Sequence, residues 1–236
     1  MGHARLEFAT ELRFFLAPAD RGGTILAPLD GTSSLGHVVE SVGVPLPEVG
    51  DLLVADRPVP PSYRPADGDL VRVRAVRRPQ RLPAGPPRFT LDVHLGKLAR
   101  RLRLVGVDTD YHNDIDDDVL VELANREERV LLTQDRGVLR RRRLWFGAYV
   151  RGTSPEEQFR DVLDRFAPPL APWTRCTACN GVLAPVAKET IEHLLQPGTR
   201  RTYDGYARCG ACGRLYWKGA HHHRLQAIVD AALSSS

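Results

Sequence analysis

The four cysteines of the chain fall into two pairs with the same internal spacing, Cys176-x-x-Cys179 and Cys209-x-x-Cys212. Thiolates presented by two such loops suit the tetrahedral coordination of Zn²⁺. Since the protein would then fill all four coordination positions, the spacing predicts a structural zinc site rather than a catalytic one. The alternative is a pair of disulfide bonds, which an intracellular environment disfavours.

Aspartates form a second group of residues that could do chemistry. Asp92 ends the apolar segment FTLDV, Asp135 ends RVLLTQD, and three aspartates occupy positions 116–118. In an open parallel sheet, ligands collect at the carboxyl ends of the strands, where carboxylates suit Mg²⁺ or Mn²⁺. A metal ion held there could activate water and stabilise the leaving oxygen of a phosphodiester. The alternative is that the run 116–118 caps a helix and that Asp135 belongs to a turn.

Basic side chains lie close in sequence to these acids. The five that could hold a substrate are Lys97, Arg100, Arg101, Arg136 and Arg140. Arginine presents a planar fork that matches phosphate oxygens, so these positions predict contacts to a nucleic-acid backbone with little reading of bases. The run Arg140–Arg143 is also typical of a solvated helix face.

The elements that must position these residues form three regions. Residues 1–78 predict a β-grasp domain: a strand pair within 4–16, a helix capped by Ser33 or Ser34, and strands at 52–56 and 70–76. Residues 79–87 are rich in proline and predict a linker. Residues 88–170 alternate apolar segments with helices, which predicts an α/β domain with a mainly parallel sheet. Residues 171–236 carry the cysteines and a C-terminal helix.

Within the α/β region, four helices are predicted in particular. The first, at about 94–105, places its apolar residues on one side and its bases at the surface. The second covers about 117–126, and a basic helix follows Asp135. A further helix begins with the capping box at Ser154–Glu157 and ends before Pro168.

Composition bounds the class of protein. The chain has 236 residues, a formal net charge of +4, and arginine at 30 of its 33 basic positions. No apolar stretch approaches the roughly 20 residues that a membrane span needs, and the first residues carry charges where a signal peptide is apolar. We expect a soluble, cytoplasmic protein without membrane contact.

Six segments form an ordered series along the chain: FTLDVHLGKLARRLRLVGVDT, DDDVLVELA, RVLLTQDR, SPEEQF, RCTACNGVL and CGACGRLYWKGAH. Over residues 88 to about 225 this series resembles the Mut7-C family. The resemblance implies a PIN-like fold, a metal-dependent ribonuclease activity and an appended zinc ribbon. It assigns Asp92 and Asp135 to the acids of the first and third strands and Asp117 to the acid before the second helix, with Asp116 and Asp118 as alternatives.

The segments VVESVGVPLPEV and DGDLVRV resemble the ubiquitin-like domain that precedes some Mut7-C domains. This domain implies a possible protein partner. The leading interpretation is an endoribonuclease for single-stranded or looped RNA, with catalytic Mg²⁺ or Mn²⁺ at Asp92, Asp117 and Asp135. The alternatives are a DNA nuclease using the same site, since phosphates do not distinguish the two sugars, and a non-catalytic RNA- or ribosome-associated adaptor.

Overall fold

The chain divides into two units in the computed structural model, which describes residues 2–83, 85–220 and 222–234. The first unit comprises Met1–Gln80 together with Thr133–Tyr149, and the second comprises Arg81–Leu132 together with Val150–Ser236. The first boundary falls inside the proline-rich stretch 79–87, of which residue 84 lies outside the described residues.

Residues 2–75 of the first unit contain a five-stranded sheet and the α-helix that packs with it. Its strands are β1 (Gly2–Phe8), β2 (Thr24–Leu29), β3 (Val49–Val54), β4 (Arg57–Val59) and β5 (Leu70–Ala75), in the order β2-β1-β5-β3-β4. β5 is parallel to β1 and antiparallel to β3. Helix α1 (Leu35–Ser41) begins where the Ser34 hydroxyl accepts a hydrogen bond from the His37 N–H. Leu6, Leu35 and Val71 are among the buried core residues, so the predicted β-grasp is confirmed in this unit.

The predicted strand pair within residues 4–16 is wrong in its second half. Thr10–Phe15 forms a 3₁₀ helix, and the antiparallel partner of β1 is β2. Leu12 and Phe15 are buried three residues apart, as one turn of such a helix requires. The alternating apolar residues are typical of a strand, but the buried residues of this segment follow the three-residue period of a 3₁₀ helix.

The segment Thr133–Tyr149 clusters with residues 1–80 in the first unit, although the sequence places it inside the α/β region. It contains α4 (Arg136–Leu139) and β9 (Gly147–Tyr149). The Tyr149 ring lies 5.1 Å from the Phe15 ring, centroid to centroid, and the Tyr149 N–H donates to the buried Glu48 carboxylate at 2.8 Å. We refer to residues 133–149 as the docked segment.

The basic helix predicted after Asp135 is shorter in the structure than the sequence suggests. α4 ends at Leu139, so the run Arg140–Arg143 follows the helix instead of forming one of its faces. The short helix buries Val138 and Leu139.

The second unit begins with parallel strands. β6 (Phe89–Leu91) is parallel to both β7 (Thr109–Tyr111) and β8 (Val130–Thr133), with the pairs Leu91–Tyr111 and Leu91–Leu132 in register. The helices are α2 (Gly96–Leu104), after a 3₁₀ turn at Val93–Leu95, then α3 (Asp117–Arg126) and α5 (Pro155–Phe166). α2 packs against α5, and the predicted capping box of α5 is present, with Ser154 and Glu157 bonding reciprocally.

The cysteines lie in a small antiparallel sheet of the same unit. Its strands are β10 (Leu183–Val186), β11 (Tyr206–Cys209) and β12 (Leu215–Trp217), with β11 in the middle. α6 (Lys188–Ile191) and α7 (Pro197–Thr202) lie between β10 and β11 in sequence, and α8 (His222–Ser234) follows β12. We refer to residues 171–220 as the cysteine module; the predicted boundary at residues 170 and 171 stays a prediction. Among the described residues, no helix combines the length and hydrophobicity that crossing a bilayer demands.

Candidate functional site

The four cysteine sulfurs lie together. All of them fall within 4.8 Å of one another, and they are the one such group of three or more potential metal ligands in the described part of the chain. The sulfurs of Cys176 and Cys212 are 3.7 Å apart, and those of Cys179 and Cys209 are 3.5 Å apart. These separations exceed a disulfide bond of about 2.05 Å and approach the roughly 3.8 Å between ligands of a tetrahedron with Zn–S bonds of about 2.3 Å. The cluster fits a zinc ion, and the disulfide alternative is wrong for this structure.

Two similar backbone loops hold the sulfurs. In each, the N–H four residues after the first cysteine donates to that cysteine's carbonyl: Asn180 to Cys176 at 2.9 Å, and Gly213 to Cys209 at 3.0 Å. Both donors have a left-handed backbone, with φ of 68° and 73°. Glycine adopts this conformation without strain, and asparagine tolerates it better than most residues. The repeated Cys-x-x-Cys spacing therefore produces a repeated local structure.

A side chain at Gly181 would also disturb this arrangement. A Cβ there would lie 2.8 Å from the Cys209 sulfur and 3.5 Å from the Cys179 sulfur. Glycine is needed because the backbone passes close to the cluster.

The thiols carry unequal proton affinities because they share one small space. Burial raises the pKa of Cys176, but hydrogen bonds from the Tyr216 hydroxyl, 3.0 Å from its sulfur, and from backbone N–H groups outweigh burial and lower that pKa to about 6. Partial desolvation and the neighbouring sulfurs raise the pKa of Cys179 to about 12. Four thiolates can coexist here only if a cation compensates their charge, which is what a bound Zn²⁺ would supply.

The first cysteine loop is attached to the parallel strands through Asp108. The Asp108 carboxylate accepts hydrogen bonds from Arg129 (2.7 Å), Asn180 (2.8 Å) and Arg175 (3.2 Å). The Asn180 side-chain oxygen in turn accepts from the Thr109 N–H at 3.0 Å. Burial raises the pKa of Asp108, but the bonds from Arg129 and Asn180 and the charge of Arg175 outweigh it, so the pKa lies below its ordinary value.

Arg103 makes a second attachment, from α2. Its buried guanidinium donates to the carbonyl oxygens of Thr109 (2.8 Å), Thr177 (3.4 Å) and Ala178 (2.9 Å). Burial lowers its pKa. The prediction that the bases of this helix all lie at the surface is wrong for Arg103.

Asp92 lies at the carboxyl end of β6 and is buried, with 6% of its surface exposed. Its N–H donates to the Leu132 carbonyl at 3.0 Å, and its carbonyl accepts from the Leu95 N–H at 2.9 Å. The residue therefore joins the strand to the turn before α2.

Asp117 is the first residue of α3 and lies in its negatively charged first turn. Asp116 occupies the N-cap position, but its side chain makes no capping hydrogen bond. The capping alternative is thus not realised at Asp116. Asp118 is exposed, whereas Asp117 is half-buried.

Asp135 caps α4 in the docked segment. One carboxylate oxygen, Oδ1, accepts from the Gly137 N–H at 2.6 Å and from the Val138 N–H at 3.4 Å. The Asp135 N–H donates to the Thr133 hydroxyl at 2.8 Å. Oδ2 accepts no hydrogen bond from the described residues, so the capping geometry leaves one oxygen for another partner.

The five basic residues fall into two groups. Lys97, Arg100 and Arg140 are exposed. Arg101 forms an ion pair with Glu156 of α5. Arg136 donates to the carbonyl oxygens of Phe15 (2.8 Å) and Phe14 (3.2 Å) and lies 5.0 Å from the centroid of the Phe15 ring.

Comparison with known proteins bears on the whole chain. A family model described as Mut7-C RNAse domain matches residues 87–229, more than half of the sequence. The chain belongs to the Mut7-C RNAse domain family. A second model, described as Mut7-C ubiquitin, matches residues 1–81, so the Mut7-C domain is preceded by the ubiquitin-like domain that the sequence resembles. Searches of the curated proteins and of the solved structures returned no significant match.

The Mut7-C match supports a ribonuclease-type function, and it covers both the parallel strands and the cysteine module. Sequence reasoning missed the residues that attach the module to those strands. No local sequence pattern points to Asp108, Asn180 or Arg103, because each contacts a partner about 70 residues away. A long arginine on the apolar side of α2 was the one available sign.

Proposed function

We propose that this chain is a metal-dependent endoribonuclease of PIN-like fold that hydrolyses single-stranded or looped RNA. The observation that carries the proposal is the burial of Asp92 at the carboxyl end of a strand with parallel neighbours on both sides, within a family described by its RNAse domain. A buried carboxylate in such a position is a favourable metal ligand.

In this proposal Asp92, Asp117 and Asp135 hold Mg²⁺ or Mn²⁺. Such an ion supplies water activation and stabilisation of the leaving oxygen when it is bound. The acceptor geometry of Asp135 is compatible with this role, because its two backbone donors engage only Oδ1 and orient the carboxylate.

The exposed Lys97, Arg100 and Arg140 are the proposed contacts to the RNA backbone. Arg101 and Arg136 are given a positioning role, because Glu156 and the Phe14 and Phe15 carbonyls already engage their guanidinium groups. We further propose that the cysteine module is a zinc ribbon, whose Zn²⁺ is structural because four cysteines fill the coordination shell.

The test is cleavage of labelled single-stranded RNA by the full chain with Mn²⁺, with Mg²⁺ or without either. We expect cleavage that requires the added cation and falls at least about a hundredfold in Asp92→Asn, because the variant loses a metal ligand. Asp114→Asn is the matched control, since Asp114 is exposed and lies outside the proposed set.

RNA binding is measured beside cleavage. Metal-independent binding with no cleavage by the wild type would reject the nuclease and favour the RNA-binding adaptor. Equal cleavage of single-stranded DNA would instead extend the substrate class to both sugars.

A further inference from the structure

A polar cavity of about 410 Å³ lies between α2, the end of β7 and both cysteine loops. Its volume falls within the range of about 300–1,000 Å³ that is typical of ligand sites. The residues that line it include Arg100, Arg103, Arg214, Tyr111, Asn113 and Thr177. Three arginines therefore line one space.

Arg103 is already satisfied in this arrangement. It donates to three carbonyl oxygens, two of them in the first cysteine loop, and its charge lies beside the thiols of Cys176 and Cys179 and the carboxylate of Asp110. The Asp110 carboxylate also lies 3.1 Å from the His112 ring nitrogen. Asp110 and the two thiols are thus negative groups that act on Arg103.

Arg100 and Arg214 differ from Arg103 in this respect. Both are exposed, and neither guanidinium makes a hydrogen bond or ion pair with any residue in the described part of the chain. Arg100 lies close enough to Arg103 for the two like charges to repel each other. Like charges gathered at a polar cavity are stabilised when an anion binds between them.

The backbone positions of both residues are fixed. Arg100 lies in the middle of α2, and the Arg214 carbonyl accepts from the Cys209 N–H at 2.9 Å as part of the second cysteine loop. The cavity is also close to the proposed catalytic acid. Gly96, at its edge, follows Asp92 by four residues, and the Tyr111 hydroxyl donates to the carbonyl of Val93 at 2.8 Å.

We propose that this cavity binds a phosphate group of an RNA strand, with Arg100 and Arg214 as its charged donors. The inference rests on the proposed function for the identity of the strand. It gives the cysteine module a part in substrate binding, because Arg214 belongs to that module. The phosphate could be an internal phosphodiester or a 5′-terminal phosphate, and the two share this chemistry.

The experiment is an anisotropy titration of the full, zinc-loaded chain with a short single-stranded RNA that carries a 3′ fluorophore. No Mg²⁺ or Mn²⁺ is added, so cleavage does not interfere. We expect Arg100→Ala and Arg214→Ala each to raise the Kd about tenfold and to reduce the salt dependence by about one phosphate contact. Arg214→Lys should keep part of the affinity, since it retains the charge but not the fork.

Arg160→Ala on α5 and Arg201→Ala on α7 are the matched controls. Each removes one exposed arginine away from the cavity, and we expect each to change the Kd less than twofold. Zinc content and the thermal midpoint are measured for every variant. Because Arg100 lies outside the cysteine module, Arg100→Ala tests the cavity even if Arg214→Ala loses zinc.

Comparison of 5′-phosphorylated with 5′-hydroxyl RNA separates the two phosphate sources. An affinity gain from the 5′-phosphate that disappears in Arg214→Ala identifies the terminal group, and an equal loss with both RNAs identifies an internal phosphodiester. If both alanine variants bind like their controls, the proposed phosphate site is wrong, whatever the cleavage assay shows. If cleavage fails while these losses appear, the nuclease proposal is wrong and the phosphate site stands.

Discussion

Asp108 attaches the cysteine module to the parallel strands through a single carboxylate. Its carboxylate has 21% of its surface exposed and accepts from two arginines and one asparagine. Removing one partner of such a network leaves the others without their acceptor, which costs more than the pair contributes when intact.

We expect Asp108→Asn to destabilise the folded protein by about 2 kcal/mol at neutral pH. The pKa of Asp108 is lowered in the folded state, so its stabilising contribution is present above the ordinary value of 3.8 and is lost as the pH falls through the folded-state pKa. The free energies of unfolding of variant and wild type, measured with urea, should therefore converge only below about pH 4. A constant difference down to pH 2 would show that the carboxylate charge is not the cause, and Asp114→Asn provides the baseline.

At the residue scale, the features that could be predicted are those that depend on residues close together in sequence. The cysteine cluster follows from two Cys-x-x-Cys loops, each of which closes within six residues. The partners of Asp108 could not be predicted, because Arg129 and Asn180 come from different elements and any acid could face them. Asp92 was singled out as a charge in an apolar segment, and its burial is confirmed, whereas its metal-binding role stays a prediction.

Helix α2 connects two regions of the second unit through Arg103. The side chain starts on the helix, passes the carbonyl of Thr109 at β7 and ends at the carbonyls of Thr177 and Ala178. It therefore holds the first cysteine loop from outside the cluster of four cysteines.

Arg103→Leu should loosen that loop, because at least one buried carbonyl loses its donor at a cost of about 2 kcal/mol. We expect faster transfer of zinc to a chromophoric chelator and a lower thermal midpoint than in the wild type. Arg160→Ala, an exposed arginine on α5, should match the wild type in both measurements. Unchanged zinc transfer in Arg103→Leu would show that the four thiolates alone determine the retention of the metal.

The elements themselves were largely predictable where local signals were strong. The bounds of α3 were predicted correctly from the apolar period, and those of α5 from its capping box and the following proline. The region after Phe8 was not, because the alternating pattern Leu12, Phe14, Leu16 also fits a tight 3₁₀ turn that buries Leu12. The prediction that the arginine run 140–143 is helical is wrong for a related reason. Arginine favours helices but does not by itself extend one.

The docked segment relates the two family matches at the scale of the whole molecule. Residues 133–149 lie inside the Mut7-C match but pack with the ubiquitin-like domain. Their contacts go to backbone carbonyls at Phe14 and Phe15 and to the buried Glu48. Backbone acceptors leave no trace in the sequence, which is why the docking could not be predicted.

A fragment of residues 81–236 should therefore leave the docked segment without its contacts to Phe14, Phe15 and Glu48. We expect trypsin to cut after Arg140–Arg143 on the order of tenfold faster in the fragment than in the full chain, because the segment loses its packing surface. Cleavage near Arg200 and Arg201, in the cysteine module, should be unchanged and serves as the internal control. Equal rates at both places in both proteins would contradict the role of residues 1–80 in holding the segment.

The docked segment also changes what it means to separate the two domains. The backbone passes from one unit to the other after Gln80, after Leu132 and after Tyr149. One protease cut in the proline-rich stretch would remove only the first of these three connections. After such a cut, residues 1–80 would be held to the rest of the chain only by their packing with residues 133–149, which lie in the middle of the Mut7-C match.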